Sequence, residues 1–292
     1  MWPLALLLAV DTTSRIVPVP LAPAESLQVT MVGAGDPVVL LPGLFGSAFG
    51  YRKLIAALTA AGYRAIVIEP LGIGSSARPE RADYSLTAQA DRVARVLDVL
   101  DVHDAVVVAH ALGGSIAYRL AYRHPDLVVG IVSLDGGPAE SATTRGFRRA
   151  LQLIPWVKLF GGIRLVRKRI RDYMTAGSGD SSWVSDEVVD GYTAGAAREL
   201  DATLKAYLAM GRAREPERLE PNLGGIRCPV RLVIGGVAHE GGPTAAELRL
   251  LARALVRFAV DTVPGAGHFV HEERPGAVVD AVGRVGGWGR GS

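Results

Sequence analysis

The chain has 292 residues, of which 49% are apolar and 21% charged; this is the composition of a globular protein with a sizeable core, and it excludes a disordered one. A formal net charge of +3 is small for this length, and no nucleic-acid-binding motif accompanies it, so nucleic acid is not an expected partner. The single cysteine, Cys228, excludes an internal disulfide and any cysteine-based metal site.

Residues 1–25 read as an N-terminal extension or a signal segment. Met1–Val10 is apolar but too short to span a bilayer as a helix. Ala22-Pro23-Ala24 has the small-x-small form of a cleavage site, but no Lys or Arg precedes the apolar run. A cytoplasmic and an exported location therefore both stay open. Ser26–Met31 alternates and reads as an edge strand. Pro37–Leu41 is a continuous apolar run, as expected of a strand buried on both faces. Helices are expected at Tyr51–Ala61, Leu86–Leu100 and Gly113–His124, and strands at Tyr63–Ile68, Ala105–Val108 and Leu127–Leu134. This alternation predicts an α/β fold, a mostly parallel sheet with helices on both faces. It breaks between residues 139 and 223, where Gly/Ser-rich stretches separate segments of helical spacing. Strands resume at Pro229–Ile234 and Ala259–Val263, with a helix over Ala245–Val256 between them and a last helix from near Pro275. The tail, residues 286–292, reads as flexible.

The most informative stretch is Val106-Val107-Val108-Ala109-His110-Ala111-Leu112-Gly113-Gly114. A β-branched run enters a tight turn flanked by small residues, and a helix opens on two glycines. This is the outline of a nucleophile elbow, which raises one side chain above the end of a parallel sheet. Its apex is Ala111, which carries no nucleophile. Three further patterns follow the same order as in a known family. These are Leu40-Leu41-Pro42-Gly43-Leu44, Glu69-Pro70-Leu71-Gly72-Ile73-Gly74-Ser75-Ser76, and Gly265-Ala266-Gly267-His268-Phe269 with its continuation to Pro275. Together they resemble the α/β-hydrolase family over residues 26 to 285. The resemblance implies a core made of residues 26–138 and 224–285, and a helical cap, 139–223, inserted after the sixth strand of that fold. It also implies that substrate is roofed by the cap, whose apolar residues include Trp156.

Acyl transfer needs a nucleophile, a base, an acid to orient the base, and donors for the oxyanion. By resemblance, His268 is the base, and the backbone N–H groups of Leu44 and Leu112 are the oxyanion donors. Phe45 and His110 stand beside them as substrate-binding candidates, and His271 is expected to face the cap or solvent. The acid is Asp135 or Glu240. Asp135 is favoured because the usual Gly-x-x-Asp after the strand that follows the cap is missing its aspartate. Ser115 lies a helical turn past the apex and reads as a small buried residue. Three accounts of Ala111 fit: a serine replaced to trap substrate, an enzyme using His268 as a general base without a covalent intermediate, and a binding protein that keeps the pocket.

The expected substrate is a small or medium apolar ester or related acyl compound. The basic run Arg164–Arg171 reads first as a solvated cap helix; attraction to a membrane surface or to an acidic substrate is the alternative. No phosphate-binding loop occurs and no ligands stand at metal-binding spacing, so neither cofactor nor metal is expected. Oligomeric state is not legible.

Overall fold

The central strands are short apolar runs, and both of their faces are covered. In the computed structural model, which describes residues 14–142 and 162–287, the chain order opens with strands β1 (Arg15–Ala22), β2 (Glu25–Val32) and β3 (Asp36–Leu41), helix α1 (Arg52–Ala60) and strand β4 (Tyr63–Ile68). It continues with helix α2 (Leu86–Val99), strand β5 (Ala105–His110), helix α3 (Leu112–Arg123) and strand β6 (Val128–Leu134). Helices α4 (Gly162–Gly177), α5 (Asp186–Arg198) and α6 (Leu200–Arg212) follow. The chain then returns to the sheet through β7 (Val230–Gly235), α7 (Ala245–Ala254), β8 (Phe258–Val263), the short α8 (Val270–Glu273) and α9 (Pro275–Val285).

The eight strands lie in the order β1-β2-β4-β3-β5-β6-β7-β8. Only the β1–β2 and β2–β4 pairs are antiparallel. Alternate residues of the central strands feed two separate cores. Val39, Leu41, Val107, Ala109 and Ile131 pack with Val93 and Leu97 of α2 and Ile116 and Leu120 of α3. Val38, Leu40, Val106, Val108 and Val132 pack on the other face with Leu54 and Leu58 of α1 and Val278 and Val282 of α9. Each fully buried aliphatic side chain of this kind contributes about 1.5–3 kcal/mol, so the central strands hold the sheet ends in fixed register. Their C-terminal ends share one edge, with Leu41 beside Ala109, His110 beside Leu134, and Gly235 beside Val263. The chain runs from β3 outward to β4 and then crosses back to β5. The crevice between β3 and β5 is therefore the place where the winding changes direction and where open α/β sheets place ligands.

The sheet begins earlier than the sequence suggests. Arg15–Ala22 pairs with β2 from Arg15↔Met31 to Ala22↔Glu25, so β2 is an inner strand and the edge is β1. Residues 15–25 therefore belong to the sheet rather than to an extension, and Ala22-Pro23-Ala24 lies at the end of a strand and in the turn after it. Pro18 and Pro20 break the pattern of a central strand but are tolerated at an edge. At the other end, helix α9 runs through Gly283 to Val285. Met1–Val10, the apolar stretch containing Trp156, and the end of the tail lie outside the described residues.

Helices α4–α6 stand over the C-terminal edge of the sheet. Ile170 and Met174 of α4 and Val188 and Tyr192 of α5 form a third apolar cluster with Phe269. A buried cation ties the chain on either side of these helices to the core. Arg119 of α3 is fully buried, with Nη2 3.1 Å from Glu140 Oε2 and Nε 3.3 Å from Glu215 Oε2. Glu215 also accepts from the backbone N–H groups of Leu86 and Thr87 at the start of α2. No described helix is long and apolar enough to cross a membrane.

Candidate active site

Strand β5 ends at His110, and the backbone reverses at Ala111 with φ 50° and ψ −112°. An alanine in this region carries about 1–3 kcal/mol of strain. Its N–H donates to the Leu134 carbonyl at 2.9 Å, and its carbonyl accepts from Gly114 N at 3.0 Å, which fixes the turn from both sides. The two glycines that follow are needed by close approach. A Cβ on Gly113 would lie 2.3 Å from the Leu41 carbonyl oxygen, and one on Gly114 would lie 2.6 Å from Ser133 Oγ. The loop after β3 crosses directly above: a Cβ on Gly43 would stand 3.3 Å from Ala111 Cβ and 3.6 Å from Leu112 N. The segments carrying the Leu44 and Leu112 N–H groups therefore meet at this turn. Phe45, at φ 61°, donates its N–H to Tyr207 Oη of α6 at 3.0 Å, and its ring meets the Tyr207 ring edge-on. Ser115 is fully buried; its Oγ donates to the Gly137 carbonyl and accepts from Ala139 N. It is part of the packing beneath the loop after β6.

Asp135 follows β6 directly, is 1% exposed, and also has positive φ, 48°. His268, on the loop between β8 and α8, is 2% exposed and donates its backbone N–H to the Gly177 carbonyl at 2.7 Å. The two side chains face each other, with His268 Nδ1 3.4 Å from Asp135 Oδ2. Glu240 sits on the exposed loop after β7, so of the two acid candidates it is Asp135 that pairs with His268. Burial, offset in part by the neighbouring His239, raises the Asp135 carboxyl to about 7. Burial and the charge of His239 lower His268 to about 3, so at neutral pH this imidazole is uncharged and has a lone pair to offer.

Two further histidines complete the wall. His110 Nε2 donates to the His268 carbonyl at 3.1 Å, and its ring lies 4.6 Å from the His268 ring. His271, expected against the cap or solvent, is 3% exposed and packs on His110 and Tyr51, with Tyr192 Oη of α5 3.4 Å from its Nε2. Burial drives both imidazoles well below the ordinary histidine range. The buried carboxylate beside them is Glu272, which binds Arg52 and accepts from Tyr192 Oη at 3.0 Å. Aromatic rings roof the cluster: Tyr173 and Phe269 each lie within 5.8 Å of the His268 ring centroid.

One residue of this cluster carries no signal at the level of spacing. His239 Nε2 lies 2.9 Å from Asp135 Oδ2, so Asp135 stands between two imidazoles. Asp135, His239 and His268 come from three loops, after β6, β7 and β8, and are 104 and 29 residues apart in the chain. The available signal is positional. With Gly236 as the glycine of Gly-x-x-Asp, the fourth position is His239. The expectation of no metal-ligand cluster is corrected accordingly, since these three groups place ligand atoms within 4.8 Å of one another.

The strained turn between β5 and α3, the loop above it and the His268–Asp135 pair lie together at the C-terminal edge of a mostly parallel sheet, and comparison with known proteins shows the family. The description "Alpha/beta hydrolase family" matches residues 38–281. The chain belongs to the α/β-hydrolase family. Among similar members, mouse (Mus musculus) sn-1-specific diacylglycerol lipase ABHD11 is 28% identical over 84% of this chain and 79% of its own length. A haloalkane dehalogenase from Psychrobacter cryohalolentis is 32% identical over 54% of this chain and 50% of its own. The chain spans about half or less of the length of several curated relatives it matches. Among solved structures, Cfl2 from Burkholderia cenocepacia superposes with a TM-score of 0.74 at 22% identity, covering 94% of this chain and 95% of that one. That likeness concerns the fold.

Proposed function

We propose that this family member is built for hydrolysis of small or medium apolar esters or related acyl compounds, and that Ala111 stands at the nucleophile position. The observation that carries this reading is Ala111 itself. A strained φ of 50° does nothing for an alanine that a relaxed turn would not do as well. It is the conformation that presents a side chain at the apex of a strand-turn-helix. The strain is kept and the oxygen that would use it is missing. The rest of the constellation has consistent roles. His268, held neutral, is the base. An ionised Asp135 orients it and stabilises the imidazolium as it forms. The N–H groups of Leu44 and Leu112 serve the oxyanion and are unaffected by a side-chain change at position 111. Helices α4–α6 serve as the cap, and the aromatic roof of Tyr173 and Phe269, with Phe45 and His110, favours an apolar acyl group. Loss of the serine from such a triad costs about a million-fold in turnover, so the chain with alanine here is close to inert in this reaction.

A second reading rests on His268. A neutral, buried imidazole paired with a carboxyl remains a general base without a nucleophile, as a lyase, a cyclase or a water-activating enzyme would use it; a binding protein that keeps the pocket is the inert limit of the same reading. Turnover of short p-nitrophenyl esters separates these readings. Ala111→Ser is expected to raise hydrolysis by several orders of magnitude over the parent chain, and His268→Ala is expected to abolish the gain. Hydrolysis by the parent chain that needs His268, with no gain from Ala111→Ser, would establish the non-covalent reading instead.

A further inference from the structure

We propose that Asp135, His239 and His268 form a binding site for one divalent transition-metal ion of the zinc class. The inference rests on these three side chains and not on the hydrolase reading.

The decisive feature is the orientation of His239. Its Nδ1 lies 2.7 Å from the Val237 carbonyl. A carbonyl oxygen only accepts, so Nδ1 carries the hydrogen. In the neutral ring the lone pair is then on Nε2, and Nε2 points at Asp135 Oδ2 from 2.9 Å. At this distance the two atoms share either a single proton or, in its place, a metal cation that takes both lone pairs. A carbonyl that fixes one ring nitrogen so that the other is offered as a ligand is also the usual support of a metal-binding histidine. The same carboxylate oxygen faces His268 Nδ1 at 3.4 Å. His268 Nδ1 has no partner in hydrogen-bond geometry, although His268 is 2% exposed. Buried polar atoms of this kind are ordinarily satisfied.

The spacing suits a small ion. Bonds of about 2.0–2.1 Å in tetrahedral geometry hold ligand atoms about 3.4 Å apart. Oδ2 and His268 Nδ1 are already at that separation, 3.4 Å, and all three ligand atoms lie within 4.8 Å. His239 Nε2 and Oδ2, now 2.9 Å apart, would have to separate by about half an ångström to meet the same geometry. Two imidazoles and one carboxylate favour zinc and its neighbours and disfavour magnesium and calcium, which take oxygen ligands. The fourth position falls to water. Bare backbone lies alongside: a Cβ on Gly242 would stand 3.3 Å from both Asp135 Oδ1 and His239 Nε2, and one on Gly241 3.1 Å from His268 Cε1. An ion here would take the Nδ1 lone pair of His268 and its contact with Asp135, so metal binding and the pairing of His268 with Asp135 exclude each other.

The test uses the full chain, stripped with EDTA and exchanged into chelator-free buffer. Zn2+ is titrated against a chromophoric chelator, and Co2+ is used as a spectroscopic probe. One equivalent of Zn2+ is expected, with visible Co2+ bands characteristic of low-symmetry coordination by nitrogen and oxygen. His239→Gln is expected to weaken binding by at least about tenfold, while His124→Gln, at a surface pair with Asp91, leaves it unchanged. Imidazole 15N shifts of the unaltered chain supply a readout that does not depend on a variant folding: those of His239 and His268 should move together on addition of Zn2+. No saturable binding, binding that survives His239→Gln in a folded protein, or 15N shifts that move only at His103 and His124 would each overturn the proposal. Esterase activity enters none of these readouts, so failure of the hydrolase reading leaves the result intact.

Discussion

Asp135→Asn should make the protein more stable and less competent at once. The carboxyl is 1% exposed, and its pKa rises from 3.8 in an open chain to about 7 in the fold because burial penalises the charge. The sign follows from proton counting. Between these two values the unfolded chain has released the proton and the folded chain still holds it, so folding stability falls as pH rises through that window. At about 1.4 kcal/mol per pH unit the fall amounts to about 4 kcal/mol for a group shifted this far. Asparagine does not ionise, and its Nδ2 can donate to the His239 nitrogen that faces it. In EDTA, urea unfolding of Asp135→Asn and of the parent should give similar stability at the acid end of the window. The variant should gain steadily toward neutral pH, by an amount on the order of 4 kcal/mol. In an Ala111→Ser background the same change should lower hydrolysis by about 10⁴-fold, by analogy with the aspartate of a serine-protease triad. Parallel stability curves across the window would refute the reasoning, because they would mean that the carboxyl carries no burial penalty.

Gly113→Ala should destabilise the protein by about 1–3 kcal/mol and lower its melting temperature by several degrees, since the new Cβ would meet the Leu41 carbonyl at 2.3 Å; an unchanged melt would show that the close approach of α3 and β3 is not needed. Glu25 grips Arg92 with both oxygens, at 2.7 and 2.8 Å, and the hydrogen bond to Arg92 holds its pKa below the ordinary value. That pair stabilises the fold above the unfolded pKa and is lost as pH falls through the lowered folded one. Glu25→Gln should therefore cost about 1.5–3 kcal/mol at neutral pH, with the difference shrinking in acid; a gap of equal size at both pH values would contradict it.

The sequence carried the sheet and the elbow because both depend on local chemistry. Runs such as Val106–Val108 have one stable environment, between two layers of helices, and the small residues at Gly113 and Gly114 answer to close contacts with the Leu41 carbonyl and Ser133 Oγ. It carried less where tertiary context overrides a local signal. Pro18 and Pro20 argue against a strand until an edge position is known. His271, three residues past His268, points inward because α5 supplies Tyr192 as a lid over it. His239 was the hardest to read. Its role depends on the register that brings the ends of β6, β7 and β8 level, and a histidine in the place of an aspartate looks like a loss until Asp135 is found opposite. The pairing of Arg119 with Glu140 and Glu215 was likewise out of reach, since its three members are joined only by folding. Ala111 is legible in the sequence as an anomaly. The structure adds that its backbone is strained, at φ 50°.

That bend makes the most direct measurement simple. The parent chain and Ala111→Ser are treated with a fluorophosphonate and weighed intact, with His268→Ala in the second background as the control. The account predicts no adduct on the parent, one adduct per chain on Ala111→Ser located at position 111, and slow or no labelling when His268 is also removed. A folded Ala111→Ser protein that stays unlabelled would contradict it, because the turn, the base and the oxyanion donors would then not converge on that position.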